Sequence, residues 1–179
     1  MNTNHEMFNM VDPYSITEAD LPLVTLSDNL AGFFGWQIRS HTNGQYSHIM
    51  VMVEPGKFVT QSWTLHSTPI ETYTTDLHRL KFWQPNFTKK QKELFKNYID
   101  AELAKPAWKR RYDILGVIGQ KMNIPGINNP FTNYCSEAAS EAILAAGWDY
   151  GKHPSPIDMN DAFKLDEEKW KLFGYYFKD

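Results

Sequence analysis

Cysteine is almost absent from this chain: Cys135 is the only one among 179 residues. No disulfide can form within the chain, and a cysteine-rich structural zinc site is excluded. No run approaches the roughly 18 apolar residues that a membrane helix needs. Residues 1–15 lack the basic start and apolar core of a secretory leader. These absences predict a protein with no integral membrane segment, retained in the cytoplasm or associated with a phage particle. There is also no large excess of charge. Eighteen basic residues oppose 21 acidic ones, for a formal net charge of -3, which gives no electrostatic case for nucleic acid as a partner. Lys89, Lys90 and Lys92, and the run Lys109-Arg110-Arg111, read as solvated surface. No HExxH or comparable ligand spacing, GxSxG elbow, phosphate loop or GxGxxG occurs, so neither a catalytic metal nor a cofactor is expected.

What is present is a globular composition, 42% hydrophobic and 15% aromatic. The length fits one domain over residues 1–179, able to bury about two-thirds of its unfolded surface without a staple. Residues 1–18 are polar and read as a loose arm. Leu21 to Leu26 leans towards strand, and Gly32 to Arg39 towards a short helix. Ser47 to Val53 alternates His48, Met50 and Met52 with Ile49, Val51 and Val53, a pattern for a central strand covered on both faces. Pro55-Gly56 turns it into a returning strand, Lys57 to Trp63. Ile70 to Tyr73 and Leu77 to Trp83 are further strand candidates. Thr88 caps a helix over about 89–103, and a helix is also expected over Tyr112 to Met122. A Gly/Pro/Asn-rich loop leads to a helix over about 134–146 that ends at Gly147. A small helix near Asp158–Phe163 and a strand near Leu172–Phe177 complete the reading. Helices and strands segregate, so the predicted class is α+β.

The chemistry concentrates in Thr132-Asn133-Tyr134-Cys135-Ser136-Glu137. A cap at Thr132 or Asn133 places Cys135 in the first helical turn, where unpaired N–H groups and the helix dipole favour a thiolate. Ala139, Ala142, Ile143 and Ala146 follow on the same face, small enough to let the helix lie close to a sheet. His48, near the start of the central strand, is the candidate base. It needs a third group to fix its tautomer. A hairpin turning at Pro55-Gly56 brings Gln61 close to opposite Ile49, so Gln61 or a neighbour is placed to hold the ring; Glu54 is the weaker candidate. His41 precedes the strand and is a lesser cleft candidate.

Two blocks of the sequence resemble a known family. Ile38-Arg39-Ser40-His41-Thr42-Asn43-Gly44-Gln45-Tyr46-Ser47-His48-Ile49 resembles the first block of the circularly permuted NlpC-type papain-like hydrolases, the YiiX-like group. Tyr112-Asp113-Ile114-Leu115-Gly116, followed by Tyr134-Cys135-Ser136-Glu137 and Ala146-Gly147, resembles the second. Histidine precedes cysteine, the order of the permuted group. The resemblance implies a papain-like core, an antiparallel sheet packed against the helix that carries the cysteine. It also implies Cys135 as nucleophile and His48 as base. The family's third residue is commonly a carboxylate in a Val-x-Glu-Ala-like stretch, and the matching stretch Val59-Thr60-Gln61-Ser62 puts Gln61 there.

The expected activity is hydrolysis of an amide, as in a peptide or peptidoglycan fragment, through a thioacyl-enzyme formed by a Cys135 thiolate paired with protonated His48. Backbone amides at the helix start, with Tyr46, Tyr134 and Ser136, are the candidates for the oxyanion site and cleft. Lipid acyl transfer or thioester hydrolysis on the same fold, and a catalytically weakened binding or virion protein, are the alternatives.

Overall fold

A computed structural model describes residues 9–29, 46–61, 64–110, 135–151 and 155–178. Six strands form one antiparallel sheet: β1 Leu23–Asn29, β2 His48–Glu54, β3 Lys57–Gln61, β4 Leu65–Pro69, β5 His78–Pro85 and β6 Trp170–Phe177, in the order β4-β3-β2-β1-β5-β6. Three α-helices accompany them among the described residues: α1 Lys89–Ala104, α2 Cys135–Ala145 and α3 Pro156–Leu165. The class is α+β, as the segregation of patterns predicts.

The sheet separates two cores because successive side chains of a strand leave on opposite faces. Val24 and Leu26 of β1, Ile49, Val51 and Val53 of β2, and Val59 of β3 face the helices, where they meet Phe95, Ile99, Ala139, Ile143 and Phe163. Leu23, Met50, Met52, Phe58, Leu80 and Phe82 build the second core on the reverse face. Strand β2 is therefore covered on both sides, as its uninterrupted apolar run requires. The hairpin turns at Pro55-Gly56, Gly56 supplying a φ of 72°. Met50 stands opposite Thr60 and Val51 opposite Val59.

Local signals place the helix ends. Thr88 accepts from the Gln91 amide, while the Gln91 side chain reaches back to the Thr88 amide, a complete capping box. Ser155 and Asp158 form another at the head of α3. Gly147, with φ 95°, follows the end of α2.

Two expectations change. Ile70 to Tyr73, expected as strand, is a 3-10 turn over Ile70–Thr72, and the strand instead precedes it as β4. Pro69 heads that turn. Residues 9–18, expected as a loose arm, dock on the sheet. The Val11 amide donates to the Tyr175 carbonyl and the Tyr175 amide to the Asn9 carbonyl, each at 2.8 Å, and Pro13 and Ile16 are buried. Polar composition hid this because the contacts are made by backbone and by two apolar side chains. The helices expected over 32–39 and 112–122 lie outside the described residues.

The docked arm depends on Gly174 in β6. A Cβ there would sit 2.2 Å from Val11 Cγ2 and 2.5 Å from the Asn9 carbonyl oxygen, so the arm has to move. Gly174→Ala is expected to cost about 1–3 kcal/mol, the usual range for overpacking, and to expose residues 9–20 to limited proteolysis. Unchanged denaturation and cleavage would contradict the docking.

Candidate active site

Helix α2 begins at Cys135, and the small side chains that follow bring it to the sheet. Cys135, Ala138, Ala139, Ala142 and Ile143 are all buried, and they share one core with Ile49 and Val51 of β2. Helix α1 flanks α2, with the Tyr98 hydroxyl donating to the Glu141 carboxylate. The sulfur thereby comes to the first residues of β2. Burial pushes the Cys135 thiol up to about 11. It outweighs the opposing influence of the backbone amides of Ile49, Ser136 and Cys135 itself, which favour the anion.

His48 immediately precedes Ile49 in the chain, and its ring leaves the strand on the other face. Nε2 lies 2.5 Å from Thr60 Oγ1, and Thr60 Oγ1 lies 3.3 Å from the Tyr73 hydroxyl. The imidazole stacks on Tyr73 with ring centroids 6.1 Å apart, and Tyr73 meets His78 edge-on at 5.3 Å. Burial in this group, reinforced by His78 and His66, holds the imidazole down at about 4. Burial also raises the Tyr73 hydroxyl; its hydrogen bond to Thr60 opposes the rise, and the nearby Cys135 sulfur adds to it. The sulfur is thus within electrostatic reach of the Tyr73 that stacks on His48. Among the described residues no hydrogen bond joins thiol and imidazole; the imidazole is bonded to Thr60 on the other face of the sheet.

Burial thus favours the uncharged form of each group at neutral pH, where the sequence reading expects a thiolate and an imidazolium.

The remaining candidates separate. Gln61, expected behind the imidazole, is on the helix-facing side of β3. Its side-chain amide donates to the Arg110 carbonyl at 2.9 Å, and it lines a narrow void with Cys135, Ile49 and Ala139. Thr60 stands behind the ring instead. The signal was parity: with Met50 opposite Thr60, only even-numbered residues of β3 share the face of His48. Tyr73, also missed, comes from a segment misread as strand. Ser136 is buried as the second residue of α2. Tyr46 is buried, and its ring lies under the Lys81 ammonium. Glu54 stands at the far end of β2 beside Lys57 and Lys96. Tyr134 and His41 lie outside the described residues. No described helix is long and apolar enough to cross a membrane. No protein-family model matches the chain, and no curated protein does.

The depressed imidazole makes stability depend on pH. An unfolded histidine binds its proton near 6.5, whereas His48 in the fold binds only near 4. The unfolded chain therefore holds more protons between these values. The stability owed to neutral His48 is present above about pH 6.5 and lost as pH falls from there through about 4. Urea midpoints measured across this range should fall, and His48→Asn should flatten the fall. An imidazole NMR titration centred near 6.5 would contradict the burial.

Proposed function

We propose that the chain is a cysteine hydrolase that cleaves an amide bond of the peptide or peptidoglycan type, with Cys135 as nucleophile, His48 as base and Thr60 as the residue that positions the ring. The observation that carries this reading is the packing of Cys135, the first residue of α2, against Ile49, the residue next to His48, whose Nε2 is braced by Thr60. The two sequence blocks that resemble the permuted NlpC-type group support the same pair and a papain-like core. A cysteine-bearing helix on an antiparallel sheet is compatible with that core.

The neutral pair sets the mechanism. With Nε2–H donated to Thr60 Oγ1, Nδ1 carries a lone pair. This reading requires the ring, which rests against Tyr73 on the other face of the sheet, to come within reach of the sulfur when substrate is bound. Nδ1 takes the thiol proton while sulfur bonds to the carbonyl carbon, and the carbonyl π pair moves onto oxygen. Amides at the start of α2 are the donors for that oxyanion. Collapse of the adduct breaks the C–N bond, and the imidazolium returns its proton to the leaving amine. Water, deprotonated by the same imidazole, then cleaves the thioester and regenerates the thiol.

One observation favours a second reading, a binding protein that keeps the fold without turnover: Cys135 is only 6% exposed, and burial keeps its thiol neutral. A substrate screen separates the two. Peptide amides, peptidoglycan fragments and fatty-acyl esters are incubated with the chain, and adducts on Cys135 are followed by intact mass. The hydrolase predicts a transient acyl adduct with amide substrates. Cys135→Ala should abolish turnover, and His48→Ala should lower kcat/KM by about 10²–10⁴-fold, the range of general-base catalysis. Turnover that survives Cys135→Ala would sink the hydrolase. A folded chain with no adduct on any substrate would establish the second reading, and release of fatty acid alone would redirect the substrate class to lipids.

A further inference from the structure

Cys135 shares its narrow void with Gln61 of β3 and Leu65 of β4. Both of these residues hold Arg110, which closes the 3-10 turn Ala107–Arg110. The Gln61 side-chain amide donates to the Arg110 carbonyl, and Arg110 Nη1 donates to the Leu65 carbonyl, each at 2.9 Å. The first anchor fixes the backbone of the arginine and the second its guanidinium. The cation is thereby tied to the wall that Cys135 completes, on the helix-facing side of the sheet.

Lys109-Arg110-Arg111 reads from the sequence as solvated surface, yet Arg110 is half-buried. Its Nε is buried with no hydrogen-bond partner. A guanidinium cannot shed its charge in a protein and carries five N–H donors. Leu65 satisfies one of them, with a neutral carbonyl. Among the described residues no carboxylate pairs with Arg110, whereas Lys57, Lys96, Lys105, Lys164 and Lys169 each have one. Its own turn contains no acid and adds Lys109 as a second cation. A half-buried guanidinium, fixed at one nitrogen and lacking a counter-charge, is prepared for an anion that arrives with a ligand.

We infer that Arg110 determines the specificity of the Cys135 site, taking a carboxylate of the substrate through guanidinium N–H groups that Leu65 leaves free. The inference rests on the hydrolase reading and narrows its substrate to an amide that carries a carboxylate close to the bond cleaved. Ile49, Val51, Val59, Ile99 and Ala138, which also line the void, are apolar. Recognition of charge therefore falls to Arg110.

Calorimetric titration of Cys135→Ala, which removes turnover, tests this with three acetylated tripeptides. The first is alanine-glutamate-alanine with an amidated end. The second has glutamine at the centre and a free terminal carboxylate, and the third has glutamine and an amidated end. At least one of the two acids should bind about tenfold more tightly than the neutral peptide, the value of a hydrogen bond to a charged group. The acid that does so identifies the carboxylate as side-chain or terminal. Arg110→Gln in the same background should erase the preference and leave the neutral peptide unchanged. Arg110→Lys keeps the charge without the planar fork, so it should retain part of the preference; a merely structural tie would weaken all three peptides alike. Should Arg110→Gln fail to fold by circular dichroism, the comparison of acids with the neutral peptide and Arg110→Lys decide. Equal binding of acids and neutral peptide, no saturable heat with any of them, or a full preference in Arg110→Gln would overturn the inference. Acyl adducts on the unaltered chain, followed by intact mass, read the hydrolase separately. Adducts with no preference for acids would remove the role of Arg110 alone, and a preference with no adduct would keep the Arg110 contact and sink the hydrolase.

Discussion

The alternation of β2 is the constraint on which the rest of the structure depends. A strand with a period of two can give its odd residues to one core and its even residues to another. Here Ile49, Val51 and Val53 are committed to the helices, and Met50 and Met52 to the reverse face. A one-residue slip would invert every one of these assignments. The strand therefore holds its register, and that register decides which chemistry each neighbour meets. The thiol of α2 comes to the Ile49 side, while the His48 ring turns to Thr60 and Tyr73. What the two share is the end of the strand, one on each of its faces.

Burial then sets the protonation states. The backbone amides of Cys135 and Ser136 at the helix start and of Ile49 on β2 favour a thiolate, yet desolvation prevails. The same loss of water keeps His48 neutral. Neither group therefore carries a charge at rest.

Much of this was legible in the residues. Alternation gave β2, the Pro55-Gly56 turn gave the hairpin, Thr88 with Gln91 gave the head of α1, and the alanine row after Cys135 gave α2 and its packing. The pairing of Gln61 near Ile49 was also readable, and the observed register agrees with it. The error lay in the next step, since a residue opposite Ile49 cannot share the face of His48. Tyr73 was invisible because aromatic and β-branched residues at Ile70–Tyr73 mimic a strand, whereas the chain makes a 3-10 turn after Pro69. The docked arm has no sequence signature at all, since it rests on backbone hydrogen bonds over Gly174.

The central claim is that burial holds Cys135 and His48, placed on opposite faces at one end of β2, as uncharged groups. The ultraviolet absorbance of the thiolate, taken as the difference between the unaltered chain and Cys135→Ser across pH, tests it directly. The account predicts no thiolate signal at pH 7 and a rise centred near pH 11, following the buried thiol. A full thiolate signal already present at neutral pH and lost in His48→Ala would contradict it and show an ion pair in its place.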